Sequence, residues 1–251
     1  MNSNYPPILI GTLFSEVKNY CIKEWFKNVC SFTYPNLDLC MVDNSKDKKY
    51  HKKILKYFSK HKKNSNIKNI TILHTPRVDK SPEIFMTFSA NELRKYFLRN
   101  NYVALFNLES DIFPKPTIIE QLMCYNKSVV GATYFSGLKE RSYPMITDIC
   151  KYNYYENVKC CGTPYLKGFF EMTDTFEPKP YFGQGLGCTL ISRGIVQRVP
   201  FRSDPTKKSH YDTMFYCDLM QQGIQNYLVP IMCRHENQTW DKQLKLIEKL
   251  K

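Results

Sequence analysis

No apolar run in these 251 residues approaches the roughly 18–20 that a membrane-spanning helix requires. The opening stretch, "MNSNYPPILIGTLF", has no basic leader, and its apolar run is too short for a secretory signal. No Cys-x-x-Cys pair occurs among the ten cysteines. Several of them (Cys40, Cys188, Cys233) lie inside apolar runs, which favours buried reduced thiols over disulfides. A zinc site drawn from Cys150, Cys160, Cys161 and Cys188 is the weaker alternative, because the paired-thiol spacing is missing. No repeat and no long flexible linker interrupts the chain. These absences lead to the expectation of a soluble, cytoplasmic protein, folded as one domain over residues 1–251.

What is present supports a substantial core. Hydrophobic residues make up 43% of the sequence and charged residues 24%, the balance of an ordinary globular chain. Charge is distributed unevenly. The formal net charge is +13, and Lys46–Lys68 alone holds ten lysines against one aspartate. Such a run reads first as a solvated helix face, and second as a patch that could attract a polyanion such as nucleic acid.

Patterning divides the chain in two. "PILIGTLF" (Pro7 to Phe14), "LDLCMVD" (Leu37 to Asp43), "ITILHTP" (Ile70 to Pro76) and "YVALF" (Tyr102 to Phe106) are short continuous apolar runs, the mark of buried parallel strands. Between them lie three helical stripes. The first carries Ile22, Trp25, Phe26 and Val29; the second Tyr50, Ile54 and Phe58; the third Met86, Ala90, Leu93 and Phe97. Residues 1–115 therefore read β-α-β-α-β-α-β, a Rossmann-type half with a mostly parallel sheet and helices on both sides. Residues 116–251 form an irregular mixed half, rich in Gly, Tyr and Pro between 131 and 190. A helix is expected at Asp212–Gly223, a strand at Asn226–Cys233 and a closing helix from Trp240 to Lys251.

Parallel sheets bind ligands at the carboxyl ends of their strands, and polar residues gather there in this sequence. Thr12 and Ser15 follow the first strand, Asp43 and Asn44 the second, and Glu109 and Asp111 the fourth. Two acids one residue apart cannot face the same side of an extended chain, so "NLESDIFPKP" must turn, as Pro114 and Pro116 suggest. A turn lets one carboxylate contact a hard cation while the other reaches ligand hydroxyls or a metal-bound water. The alternative is a turn whose acids cap the helix starting near Pro116.

The order of these parts resembles the GT-A fold glycosyltransferases, especially the family 2-like enzymes, over roughly residues 7–240. In that resemblance Glu109-Ser110-Asp111 stands where those enzymes carry an Asp-x-Asp motif. Thr12 and Ser15 fall in the nucleotide-binding turn after the first strand, and Asp43 at the position that contacts the nucleotide base. Asn91 and Arg94 fall near the diphosphate. Asp212, in "HYDTMFYCDLMQQG", corresponds to the catalytic base of inverting members. His235, in "IMCRHENQ", corresponds to a late metal ligand beside Asp111 and Glu109. Gln184, Gly185 and Gly187 belong to a Gly-rich segment beside the donor sugar. Glu109 departs from the usual first Asp, and its longer arm suits water or ribose. Tyr211-Asp212 replaces a more usual pair of acids, which leaves His210 as a rival proton acceptor.

The resemblance implies a glycosyltransferase that uses Mn²⁺ or Mg²⁺ and a nucleotide-sugar donor, UDP-sugar favoured, with inversion at the sugar carbon preferred and retention left open. It leaves the acceptor as a glycan, a small molecule, or a hydroxymethylated base in DNA, since compact basic enzymes of this kind occur in phages that glycosylate their DNA. A viral origin would put the protein in the host cytoplasm. Tyr134, Phe135, Tyr143, Tyr181 and Phe182 read as packing residues, any of which could also stack on a sugar face. Two other classes compete. A nucleotidyltransferase would need a Gly-rich basic loop after the first strand, which "GTLFSEVKNY" is not. A non-catalytic nucleic-acid-binding protein would leave Glu109, Asp111, Asp212 and His235 with no reason to converge.

Overall fold

The computed structural model describes residues 5–46, 48–75, 81–138, 141–144, 179–181, 185–204 and 210–236. Gln184, Phe182, Cys150, Cys160, Cys161 and the closing helix expected at 240–251 lie outside them, as do the side chains of Phe135, Tyr143 and Tyr181.

The first half alternates as its sequence predicts. The strands β1 (Ile8–Phe14), β2 (Leu37–Asp43), β3 (Ile67–His74) and β4 (Ala104–Leu108) are separated by the helices α1 (Ile22–Val29), α2 (Lys49–His61) and α3 (Pro82–Arg99). A short β5 (Ile112–Phe113) and α4 (Ile118–Cys124) follow. The second half adds β6 (Val129–Leu138), β7 (Arg141–Pro144), β8 (Lys179–Tyr181), β9 (Cys188–Ser192), α5 (Arg193–Arg198), α6 (Tyr211–Gln221) and β10 (Asn226–His235).

One sheet runs through both halves in the order β3-β2-β1-β4-β9-β6-β10-β5, with β7 on β6 and β8 on β10. The pairings make β3, β2, β1, β4, β6 and β10 co-directional, while β9 and β5 run the other way.

Strand alternation sorts the core onto the two faces of this sheet. Ile8, Ile10, Leu37, Leu39, Met41 and Phe106 pack with α1, α2 and α4. Leu9, Cys40, Val42 and Leu105 pack with α3, α5 and α6. The helices present the stripes their spacing predicts. Ile22, Trp25, Phe26 and Val29 are buried on α1, and Tyr50, Ile54 and Phe58 on α2. On α3, Ala90, Leu93 and Phe97 are buried, whereas Met86 is half-buried. α3 starts where Ser81 Oγ accepts from the Ile84 amide and Pro82 occupies the first turn, a position that needs no amide hydrogen.

Seven cysteines are described, and all are free thiols. Cys188 and Cys233 stand with sulfurs 3.7 Å apart in the core between β9 and β10. No helix among the described residues is long and apolar enough to cross a membrane.

Candidate active site

The Glu109–Asp111 segment turns as expected: the Ile112 amide donates to Glu109 O at 3.1 Å, and the chain doubles from β4 into β5. Three other segments hold that turn. Just before β9, Gly187 O accepts from the Glu109 amide at 2.9 Å. From α1, Trp25 Nε1 donates to Glu109 O at 3.0 Å. From β10, the Glu236 amide donates to Asp111 O at 2.8 Å. Buried backbone groups need such partners, so the turn is over-determined rather than free.

Pairing of β10 with β5 sets His235 opposite Ile112 and brings its ring to the acidic turn. His235 Nε2 lies 3.2 Å from Asp111 Oδ2. The Lys18 ammonium contacts the same carboxylate oxygen. Lys18 ends a short 3-10 turn, Glu16–Lys18, directly after β1. Nothing in the motif pattern singles out this lysine; only the parallel adjacency of β1 and β4 delivers it.

The two acids differ electrostatically. Burial alone would raise the Asp111 carboxyl, but the His235 hydrogen bond and the Lys18 charge outweigh it and hold the group below its ordinary value. Burial pushes the Glu109 carboxyl up to about 7, and the neighbouring Asp111 and Asp212 charges add to the rise. Asp212 therefore lies within electrostatic reach of Glu109. It sits in the first turn of α6, where Oδ1 accepts from the Thr213 amide at 2.7 Å and the helix dipole favours a negative charge. His210, the residue preceding α6, is exposed.

A cleft of about 290 Å³ opens at these strand ends, close to the roughly 300 Å³ at which small-molecule pockets begin. Ser15, Lys18, Asn44, Glu109, Asp111 and Tyr211 are among its lining residues. Ser110 also lines it.

The Gly-rich segment adjoins the acidic turn through the Gly187 carbonyl. Gly185 has φ +71°, which favours glycine, and its carbonyl accepts from Tyr216 Oη at 2.8 Å. A Cβ on Gly187 would stand 2.6 Å from the buried Tyr134 ring. Tyr134 thus packs against the site, and its ring is edge-on to His235 with centroids 5.5 Å apart.

Four expected donor contacts are placed elsewhere. Thr12 is buried within β1, its hydroxyl directed to the adjacent Leu13 carbonyl, and it does not line the cleft. Asn91 donates to Thr87 O and Phe201 O, and Arg94 to Val196 O and Gln197 O, so both tie α3 to α5 and the segment behind it. The Asp43 carboxylate is fully buried, while its neighbour Asn44 lines the cleft. Asp43 instead faces His51 and His74, with Oδ2 3.2 Å from His51 Nε2 and 3.6 Å from His74 Nδ1. Burial lowers the pKa of the His51 imidazole despite the nearby Asp43 charge. Among the described residues this is the one trio of His, Cys, Asp or Glu whose ligand atoms lie within 4.8 Å of one another; Glu109 does not complete such a set with Asp111 and His235.

No family model and no curated protein sequence matches the chain. Solved structures do. A crystal structure of S. aureus TarS superposes with a TM-score of 0.54 at 9% identity, covering 93% of this chain and 37% of that one. The structure of TarS 1–349 in complex with UDP gives 0.53 at 11% identity, covering 92% of this chain and 58% of the other, and a second structure of TarS 1–349 gives the same values. The chain has a GT-A-like fold. It spans only 37–58% of the TarS chains it matches. At such low identity the GT-A-like likeness carries the sheet and its topology, and the side chains at the strand ends must be read on their own chemistry.

Proposed function

We propose that this GT-A-like chain acts over residues 1–251 as a glycosyltransferase, moving a sugar from a nucleotide-sugar donor, UDP-sugar favoured, to an acceptor hydroxyl. The observation that carries the reading is the convergence of Asp111, Glu109 and Lys18 on the cleft, with His235 against Asp111 and Asp212 in electrostatic reach of Glu109. The complex of TarS 1–349 with UDP favours uridine diphosphate as the donor's nucleotide part.

Asp111 Oδ2 and His235 Nε2 suit one Mn²⁺ or Mg²⁺ as an oxygen and a nitrogen donor, and their 3.2 Å separation allows both to reach one ion. That oxygen already attracts a cation, the Lys18 ammonium, whose side chain is 38% exposed. A divalent ion bound there would stabilise the charge that develops on the departing diphosphate. Displaced from Asp111, Lys18 remains at the cleft wall and supplies a second positive charge to the diphosphate. Asp212, in the first turn of α6, takes the proton from the acceptor hydroxyl as it attacks the anomeric carbon, which inverts that centre. Glu109, held at its turn by Gly187 and Trp25, accepts hydrogen bonds from ribose or water. The Gly185–Gly187 segment lets backbone approach the sugar.

A panel of nucleotide sugars incubated with Mn²⁺ but no acceptor tests the reading. Slow hydrolysis of one UDP-sugar, strongly reduced in Asp111→Asn, is expected; no turnover or binding with any donor sinks it. A glycan or small-molecule hydroxyl is the acceptor this reading favours, because the lysines of α2 lie beside the β2–β3 edge. Steeply salt-dependent binding to hydroxymethylated duplex DNA would transfer the assignment to DNA.

A further inference from the structure

Asp43, His51 and His74 form a cluster that the proposed reaction does not use. Register creates part of it: β2 and β3 pair in parallel with Asp43 directly beside His74. His51, in the first turn of α2, completes the group from above the strand ends. Asp43 is fully buried, and the side chains of His51 and His74 are 20% and 10% exposed. One carboxylate oxygen, Oδ1, accepts from the Ser45 amide at 2.9 Å. Asp43 Oδ2, His51 Nε2 and His74 Nδ1 are buried and make no hydrogen bond despite their proximity. A buried carboxylate with an unsatisfied oxygen is costly.

The spacing has a simple account. Two ligand atoms about 2.1 Å from a zinc ion at a tetrahedral angle stand about 3.4 Å apart. The observed separations from Asp43 Oδ2 are 3.2 and 3.6 Å. We propose that Asp43, His51 and His74 bind a zinc-class divalent cation through Oδ2, Nε2 and Nδ1, with water at the fourth position. The donor set, two imidazoles and one carboxylate, suits Zn²⁺ or Co²⁺ rather than Mg²⁺. The ion fastens the ends of β2 and β3 to the start of α2, one residue behind Asn44 on the cleft wall. It is separate from the Asp111–His235 pair and does not depend on glycosyl transfer.

Cobalt reports the coordination directly. The untagged full chain, stripped with chelator and titrated with Co²⁺, should show intense visible bands of four-coordinate cobalt, without thiolate charge transfer and displaced by Zn²⁺. These bands should persist in Asp111→Asn. His74→Gln and His51→Gln should each weaken binding by more than about tenfold and remove the thermal stabilisation that Zn²⁺ confers on the wild type. His51→Gln, on a helix surface, provides the readout if His74→Gln does not fold. A weak octahedral spectrum, a thiolate band, bands that vanish with Asp111→Asn, or bands unchanged by both histidine variants would each overturn the assignment.

Discussion

Two aspartates at the carboxyl ends of one sheet meet histidine in different company. Asp111 shares one oxygen between His235 and the Lys18 ammonium, and lies on the cleft. Asp43 faces His51 and His74 one residue behind the cleft, and its Oδ2 makes no hydrogen bond. The residue types are nearly the same. The difference lies in the counter-charge: the cleft site carries its own cation, the Lys18 ammonium, whereas among the described residues the buried site has two histidines and no ammonium in contact. The first arrangement suits exchange of a cation with a substrate's charge, the second suits retention of an ion.

The largest test of this contrast is Asp111→Asn. Donor hydrolysis should fall on the order of 10²–10³-fold, measured as kcat with a UDP-sugar, while Co²⁺ binding at Asp43 persists. A fall in both would overturn the assignment of a separate cation site at Asp43. Next comes Gly187→Ala. The added methyl meets the buried Tyr134 ring at 2.6 Å. The misfit should cost about 1–3 kcal/mol in thermal or denaturant unfolding. Gly194→Ala, with nothing within 4 Å of the new methyl, is the matched control and should not destabilise.

A pH series sharpens the distinction between the two cleft acids. Glu109 is raised from its ordinary 4.5 to about 7, so between these values the folded chain binds more protons than the unfolded one. Stability of the metal-free chain should therefore fall as pH rises from about 4.5 to about 7, and Glu109→Gln should flatten that slope. Asp111 has the opposite sign. Its pKa is depressed, so its contribution is present above the ordinary 3.8 and is lost as pH falls through the lower folded value. The two windows do not overlap, and an unfolding series in chelator separates them.

Lys18→Met should have the smallest effect. Removing an ammonium that is partly solvated should tighten Mn²⁺ binding by up to about fivefold in calorimetry. Weaker binding would show that lysine and metal do not compete for Asp111 Oδ2.

Much of this was legible along the chain. The α1 stripe of Ile22, Trp25, Phe26 and Val29 is buried in full, because period-3.6 spacing is a local property. The turn at Glu109–Asp111 was required by two acids at a strand end followed by prolines. The donor-side roles assigned by order alone fared differently. Asn91 and Arg94 stand on the expected helix, but their side chains are taken up by carbonyls of a segment a hundred residues away. Helix position was local information, and the partner of each polar group was not. Thr12 likewise stands on the expected strand, yet its pleat turns the hydroxyl inward.

By itself, then, the amino-acid sequence determined which segments are strands and helices, which faces are apolar, and that acids collect at the strand ends, since these follow from short-range sterics and periodicity. Only the tertiary structure decided which groups meet. Lys18 and His235 reach Asp111 across 93 and 124 residues, through the β1–β4 adjacency and the β10–β5 pairing. His74 reaches Asp43 through the β2–β3 register. Strand pairing is set by burial summed over the whole sheet, so no local stretch of sequence carries it.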